Sequence, residues 1–260
     1  MNLLELLLGK LNLFYDKKTK SNKIKKLFKK LLPFNIDIEL IRLGENGDGG
    51  YLIPNDLKNI KYCYSAGIGK LTKFEKDLYE IYNIKSIMVD PLEVPYKFLP
   101  KESTFIKKFL LINDNKTSIS INNFIDRDEE IILKIDIEGD EYLNLININN
   151  KKLTNVRILI IEFHNLRELR SKFFFDMFSH LIDKLSEHFY FCHLHPNNAG
   201  KIKKIGNYNI PDIIEFTLIN KNRVNFTPKN YSKLPNKLDK KINQKKKDIF
   251  IDKNFYNWNL

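Results

Sequence analysis

Three pairs of ionisable residues, each pair separated by one position, carry the most distinctive chemistry of this sequence. They are Asp136/Glu138, Glu162/His164 and His193/His195. Each pair lies at the end of an apolar run of the kind that forms a buried strand. Because alternate side chains of a strand point to the same face, each pair is expected to project in one direction. The sequence therefore predicts a site where three strand ends meet.

An imidazole beside carboxylates can take up a proton near neutral pH, since the ordinary pKa of histidine is about 6.5. His164 is our first candidate for a general base and His195 the second, while Asp136 and Glu162 would orient the base or the substrate. A divalent ion held by Asp136, Glu162 and His195 is an alternative that these residue types permit, but the sequence does not favour it.

The polar residues around these groups are candidates for substrate binding. They are Glu138, His193, Asn197 and Asn198, of which the two asparagines lie in the loop "HPNNAG". Amide groups suit recognition of a polyhydroxylated ligand. The same composition is also typical of a tight turn, because Pro, Asn and Gly are turn residues.

The segments that must position these residues alternate between strands and helices. Seven strands are predicted, at 60–67, 86–90, 104–110, 130–136, 157–163, 188–195 and 212–219. Their apolar character and the helical patterns between them predict an α/β fold, with a largely parallel sheet covered by helices on both faces. No helical pattern separates the last two strands, so we expect them to pair antiparallel.

A glycine-containing turn marks the expected ligand-binding edge of this sheet. The first strand ends in "YSAGIGK", and Asp90 ends the next strand, twenty-one residues after Gly69. Glycines allow a ligand to approach the backbone, and a carboxylate at this place can accept hydrogen bonds from ribose hydroxyls. Position 72 is Thr, where a dinucleotide fingerprint has a third glycine. A nucleoside without a pyrophosphate therefore fits this turn better than NAD does.

The positive charge of the chain is concentrated near its two ends. Among 260 residues with a net charge of +12, lysine clusters at 17–30 and 221–253. The middle of the chain is closer to balance, so nucleic-acid binding is not favoured. We expect an N-terminal basic amphipathic helical extension (1–39), one α/β domain (40–220) and a Lys/Asn-rich, solvated extension (221–260) that ends in a docked "FYNWNL".

The helical pattern of the first extension has two interpretations. Apolar residues recur at helical spacing from Ile24 to Leu32, with lysines between them, and Pro33 ends the pattern. Packing on its own domain or on a partner chain is favoured, and peripheral contact of residues 17–32 with an anionic membrane is the alternative.

The expected location is cytoplasmic, with contact at the inner membrane face as the corresponding alternative. The start of the sequence has neither a cleavable signal nor an apolar run long enough to span a bilayer. Cys63 and Cys192 lie in apolar runs and belong to no metal-spaced or redox pair, which favours buried, reduced thiols.

With these residues established, the chain resembles the FkbM-type family of S-adenosylmethionine-dependent methyltransferases. The segment "LKIDIEGDE" resembles the most recognisable signature of that family, and "YSAGIG" with Phe74 and Glu75 resembles its first cofactor motif. Four further segments resemble sequence blocks of one branch of the family: "RLGENGDGGYLIP" (42–54), "IEFH" (161–164), "HLHPNN" (193–198) and "IPDIIEFTLI" (210–219). The match covers residues 40–220 in consistent order.

The resemblance implies a seven-stranded, Rossmann-like methyltransferase sheet with strand order 3-2-1-4-5-7-6 and an antiparallel last strand. It implies S-adenosylmethionine as the cofactor, with an acceptor near Asp136 and the later histidines. The residues expected near the cofactor are Asp48, Ala66, Gly67, Gly69, Glu75, Asp90 and Asp136.

We therefore expect an O-methyltransferase that acts on a sugar hydroxyl of a small-molecule or glycan acceptor in surface-glycan (capsule or lipopolysaccharide-type) biosynthesis. N-methylation remains an alternative outcome of the same chemistry. A metal-dependent glycosyltransferase is a second alternative, because "DIE" (136–138) could hold a metal and a nucleotide sugar. A non-catalytic basic module for nucleic acid is a third, although strand-end carboxylates would repel phosphate.

Overall fold

A computed structural model of the chain describes residues 16–92 and 99–255. Its strands are β1 (Leu40–Gly44), β2 (Gly50–Pro54), β3 (Tyr62–Ala66), β4 (Lys85–Val89), β5 (Thr104–Ile106), β6 (Phe109–Leu111), β7 (Ser118–Ser120), β8 (Ile131–Ile135), β9 (Val156–Phe163), β10 (Phe189–Pro196), β11 (Ile202–Ile205), β12 (Tyr208–Pro211) and β13 (Ile214–Asn220). Its α-helices are α1 (Ser21–Leu31), α2 (Lys73–Tyr82), α3 (Ile121–Phe124), α4 (Glu141–Asn147), α5 (Asn150–Asn155) and α6 (Lys172–His188). Three short 3-10 helices cover Leu166–Arg170, Lys221–Arg223 and Lys253–Phe255.

Seven of these strands form one mixed sheet, in the spatial order β5-β4-β3-β8-β9-β13-β10. Five of them are parallel to one another, namely β5, β4, β3, β8 and β9. Strand β13 is antiparallel to both of its neighbours. Counted along the chain within this sheet alone, the order is 3-2-1-4-5-7-6. The α/β class and the antiparallel pairing of the last two predicted strands are confirmed.

The structure also contains strands that the sequence analysis did not predict. The pairs β1–β2, β6–β7 and β11–β12 form three separate two-stranded sheets, so the strand order numbered along the whole chain differs from the expected series. The strand predicted at 104–110 is divided into β5 and β6. The cause is a tight turn in which the N–H of Lys108 donates to the carbonyl of Ile106 at 3.0 Å, which ends β5 after three residues.

Both faces of the sheet are covered, which explains why its central strands read as unbroken apolar runs. Every residue of β8, β9 and β13 is buried. On one face the core contains residues of α1, α4 and α6, and on the other it contains residues of α2 and of the β1–β2 hairpin. Strands buried on two sides cannot alternate between apolar and polar residues, so period-two patterning is lost except at their ends.

The N-terminal helix packs on its own domain, as the favoured interpretation held. Ile24, Leu27, Phe28 and Leu31 of α1 are buried in the main core, and the ring of Phe28 stacks on Phe255 at 4.3 Å between centroids. This apolar face is therefore covered by protein, and residues 1–15 lie outside the described residues. Among the described residues, no helix has the length and apolarity needed to cross a membrane.

The segment after residue 220 is mostly exposed or half-buried, as its composition predicts, but it is anchored to the domain at several points. Ile242, Ile251 and Phe255 are buried, and Asn243 bonds to Asn198 of the loop after β10. Ile242, Asn243 and Ile251 are single side chains with no helical or strand period, so pattern analysis did not detect them. Of the terminal "FYNWNL", only Phe255 belongs to the described residues, and it is docked.

Phe28→Ala tests whether α1 is an integral part of the fold. We expect a loss of about 3–5 kcal/mol in the free energy of unfolding, because the ring is fully buried and stacked. Urea denaturation measures this loss. Lys26→Ala on the exposed face of the same helix is the matched control, expected to change stability by less than about 0.5 kcal/mol. Equal effects of the two substitutions would mean that α1 is not packed as described.

Candidate functional site

The turn after β3 and the tip of β8 lie against each other at one edge of the sheet. The N–H of Asp136 donates to the carbonyl of Ala66, and the N–H of Gly67 donates to the carbonyl of Val89, both at 3.0 Å. Gly67 has φ +71°, and a Cβ added to it would lie 1.5 Å from the carbonyl oxygen of Asp136. Only glycine permits this approach.

A cavity of about 530 Å³ opens at this edge, within the usual size range of small-molecule sites. Its wall is formed by the ends of β3, β4 and β8 together with the β1–β2 hairpin and β6. The lining residues expected from sequence are Asp48, Gly67, Gly69, Asp90, Asp136 and Glu138. Apolar contributions come from Leu92, Phe109 and Leu110.

Asp90 is bonded to the glycine turn. Its Oδ2 accepts hydrogen bonds from the N–H groups of Ile68 and Gly69, both at 3.0 Å, and its Oδ1 accepts one from Leu92 at 2.8 Å. The carboxylate therefore shapes the turn that forms part of the cavity wall. A carboxylate can accept about four hydrogen bonds, so capacity remains for a ligand hydroxyl. Its role in ribose binding stays a prediction.

Two residues expected near the cofactor do not line the cavity. Ala66 and Glu75 are both fully buried. Glu75 accepts a hydrogen bond from Ser65 at 2.5 Å and pairs with Lys134 at 3.6 Å, so it acts inside the core rather than on a ligand. The helix that carries Glu75 turns this side chain towards β3 and β8, which is why a ligand cannot reach it.

Lys134 is a cavity residue that the sequence analysis missed. Its ammonium donates to the carbonyl of Gly67 at 3.1 Å and to Ser65 Oγ at 3.3 Å, and lies 5.4 Å from the centre of the Tyr51 ring. A lysine inside the apolar run "IILKI" was the available signal, because a charged residue in a fully buried strand needs partners.

Glu141 organises the turn that follows β8, and it was also missed. Its Oε1 accepts hydrogen bonds from the N–H groups of Ile137 at 3.0 Å and Gly139 at 3.1 Å, and contacts Nδ1 of His164 at 2.9 Å. With Nδ1 donating to this carboxylate, the other nitrogen of His164, Nε2, is directed to the remaining acidic residues. The signal was an acidic residue in the first turn of a helix after a glycine turn.

Three carboxylates face Nε2 of His164. The distances are 3.5 Å to Glu138 Oε2, 3.8 Å to Glu162 Oε2 and 3.9 Å to Asp136 Oδ1. Burial lowers the pKa of His164, but the hydrogen bond and charge of Glu141 and the charges of Asp136 and Glu138 outweigh it, so that the pKa is raised. His164 is 6% exposed and lies behind Asp136 and Glu138, which form the cavity wall.

Asp136 and Glu162 are neighbouring carboxyl groups whose charges interact. Burial raises the pKa of Asp136 to about 6, although Lys134 opposes the effect. Burial and the charge of Asp136 raise the pKa of Glu162 well above its usual value. Because the two carboxyl groups are close together, ionisation of Asp136 makes ionisation of Glu162 less favourable. Asn197 donates to Glu162 at 2.5 Å, which makes it a buried partner of Glu162 rather than a substrate contact.

His193, His195 and Asn198 do not reach the cavity, contrary to expectation. His193 Nε2 contacts Asp239 at 2.8 Å, His195 Nδ1 lies 3.7 Å from Glu215, and Asn198 bonds to the backbone of Asn243. The reason is topological, because β13 separates β10 from β9, and the C-terminal segment occupies the space beyond β10.

The ion-binding set suggested by sequence is also not assembled. His195 pairs across the strands with Glu215, and Glu215 in turn with Glu162, so His195 is two strands away from Glu162. Among the described residues, the metal-binding side chains whose ligand atoms all lie within 4.8 Å of one another are instead Asp136, Glu138 and His164.

Comparison with protein-family models and with curated proteins assigns no family to this chain. No protein-family model matches the chain, and a search of curated proteins found no match. The resemblance to FkbM-type methyltransferases therefore stays a prediction from the sequence motifs.

Two glycines of the turn after β3 test how the cavity edge is built. Gly67→Ala should lower the free energy of unfolding by more than about 3 kcal/mol, because its methyl group would meet the backbone of Asp136. Gly69→Ala is the matched control, since Gly69 has φ +50° but no atom within 4 Å of the added Cβ. It should cost about 1 kcal/mol, the strain of a positive φ alone. Urea denaturation of both variants decides, and similar losses would disprove the close approach.

Proposed function

We propose that this protein is an S-adenosylmethionine-dependent methyltransferase that acts on a hydroxyl group of a sugar in surface-glycan assembly. The observation that supports the proposal is the shared cavity, which the glycine turn after β3, Asp90 and the tip of β8 border together. The order of the seven strands within the main sheet and its antiparallel member support the same assignment.

The charge of the cavity supports a cationic ligand over a phosphorylated one. Its lining contains five carboxylates, namely Asp48, Asp90, Asp136, Glu138 and Asp140, against two lysines, Lys70 and Lys134. The N–H groups of Ile68 and Gly69, which would otherwise be available to a phosphate, donate to Asp90. S-adenosylmethionine carries a sulfonium and an ammonium group but no phosphate, so the residues present fit it.

The same observation bears on the two alternative functions. A glycosyltransferase would bind a nucleotide sugar through its diphosphate, which Asp90 and Asp136 would repel without a bound cation, so this alternative depends on an ion in the cavity. A nucleic-acid module would present lysines at its binding face, whereas acidic side chains outnumber basic ones at this cavity.

The cofactor, when bound, supplies an activated methyl group for in-line transfer to the acceptor oxygen. The protein must then hold the acceptor in line and help its hydroxyl to lose a proton as the new bond forms. We assign that task to the tip of β8 and the end of β9, where Asp136 and Glu138 face the cavity and His164 lies directly behind them. In this proposal, Asp136 and Glu138 accept hydrogen bonds from the sugar hydroxyls.

Calorimetry with S-adenosylhomocysteine tests the cofactor assignment. We expect one binding site per chain, and Asp90→Ala should weaken binding at least about tenfold, since it removes the carboxylate that shapes the turn. Glu168→Gln, at a residue that does not line the cavity, is the control and should leave affinity unchanged. Binding of a nucleotide sugar without binding of S-adenosylhomocysteine would instead support the glycosyltransferase alternative.

Replacement of His164 tests whether the imidazole behind Asp136 and Glu138 assists, through these carboxylates, the loss of the acceptor proton. His164→Ala should reduce methyl transfer from labelled S-adenosylmethionine to a panel of free and nucleotide-linked sugars by roughly 10²–10⁴-fold. Affinity for S-adenosylhomocysteine should remain, because His164 does not line the cavity. The matched control is His180→Ala, an exposed histidine of α6. Full activity of the His164 variant would remove this residue from the mechanism.

A further inference from the structure

We propose that Asp136, Glu138 and His164 bind one divalent cation, of the Mg²⁺, Mn²⁺ or Zn²⁺ class, at the wall of the cavity. This set differs from the one that the sequence suggested, since it contains His164 and Glu138 in place of His195 and Glu162. Its three ligand atoms come from the tip of β8 and the end of β9, and all lie within 4.8 Å of one another.

The separations between these atoms suit a shared ion better than direct hydrogen bonds. His164 Nε2 lies 3.5 Å from Glu138 Oε2 and 3.9 Å from Asp136 Oδ1, both too long for strong charge-assisted bonds. Two donors that each bind an ion at about 2.1 Å lie about 3.0–3.4 Å apart at octahedral or tetrahedral angles. Short side-chain movements would therefore bring all three atoms into a coordination sphere.

His164 is prepared as a ligand by its surroundings. Nδ1 is engaged by Glu141 at 2.9 Å, so in the neutral ring the lone pair is on Nε2, which makes no hydrogen bond to a described residue. The side chain is 7% exposed, and this nitrogen faces Glu138, Glu162 and Asp136 at 3.5, 3.8 and 3.9 Å. A histidine whose second nitrogen donates to a carboxylate is the common arrangement at metal centres.

Acidic side chains surround the imidazole of His164. Glu138, Glu162 and Asp136 lie 3.5, 3.8 and 3.9 Å from Nε2, and Glu141 lies 2.9 Å from Nδ1. Glu162 accepts a hydrogen bond from Asn197 at 2.5 Å and serves as an outer partner beside His164. A cation would neutralise this cluster.

The site is open on the side where a substrate would arrive. The Glu138 side chain is 88% exposed, and both carboxylates line the cavity. Three protein ligands with open positions are typical of catalytic rather than structural ions. Mixed imidazole and carboxylate ligands suit Mn²⁺ and Zn²⁺, and also Mg²⁺ when water fills the remaining positions.

An ion at this place would change the role of His164, in a step that rests on the proposed methyltransferase function. Nε2 cannot hold a cation and accept a proton at the same time. The charge of the ion would lower the pKa of the acceptor hydroxyl, whose proton then leaves to water at the open side of the site. His164 would act as a ligand rather than as a general base.

Titration of the chelator-treated full-length protein with Mn²⁺ alone, followed by electron paramagnetic resonance of the free ion, tests the site. We expect one saturable site per chain. Glu138→Gln should weaken Mn²⁺ binding about tenfold or more, and His164→Ala should abolish it. Since Glu138 is exposed, its substitution should not impair folding. Asp140→Asn makes the same charge change two residues away on the same cavity wall and should leave the affinity unchanged.

The proposal is overturned if the wild-type protein shows no saturable Mn²⁺ binding up to millimolar concentration. It is also overturned if Glu138→Gln and Asp140→Asn weaken binding equally, because the ion would then sense only diffuse negative charge. S-adenosylhomocysteine binding by the same chelator-treated protein is measured separately. Its retention without a Mn²⁺ site would refute the ion site alone, whereas a Mn²⁺ site without S-adenosylhomocysteine binding would refute the methyltransferase alone.

Discussion

The site depends on how closely the backbone after the first strand of the main sheet approaches its neighbour. Gly67 packs so tightly against the carbonyl of Asp136 that no side chain could stand between them. Hydrogen bonds from Gly67 to Val89 and from Asp136 to Ala66 align the ends of β3, β4 and β8 at one edge of the sheet. Because these backbones are joined, the side chains that follow them open onto a single cavity.

Charged groups held inside the protein preserve that geometry. Glu75 and Lys134 form a buried pair next to Ser65, and Lys134 also bonds to the carbonyl of Gly67. Glu141 bonds to the turn after β8 and to His164 together. Removing one partner of such a buried pair is costly, because the other is left uncompensated. The segment "LKIDIEGDE" thus supplies both the groups that face the cavity and two of the groups that hold them in place.

The sequence was most informative where one strand end carried its own chemistry. The apolar runs that end in Asp136 and Glu162 predicted β8 and β9, and the positions of Gly67 and Asp90 predicted their edge of the sheet. Side-chain partners were harder to foresee. Glu141 and Lys134 act through contacts with residues distant in sequence, at His164 and Glu75, and spacing alone does not reveal such contacts.

The histidines of β10 show why equal sequence patterns can have unequal meanings. His193 and His195 have the same spacing as Glu162 and His164, but β13 separates their strand from β9. The sequence could not show that Asp239 and Asn243 would reach them, because the segment after residue 220 has no periodic pattern. The spacing of two residues in a strand predicts that their side chains project to the same face. The strand order determines which other residues lie next to them.

The two outer strands of the main sheet are both protected from pairing with another chain. At one side β5 has only three residues, too few to template an added strand. At the other side β10 is long, but the N–H of Phe34 donates to the carbonyl of Phe191 at 2.7 Å, and Asp239 contacts His193. Residues before and after the α/β domain thus shield the long edge. The segments before and after the α/β domain therefore reduce the risk of edge-to-edge aggregation, to which the exposed edges of open sheets are prone.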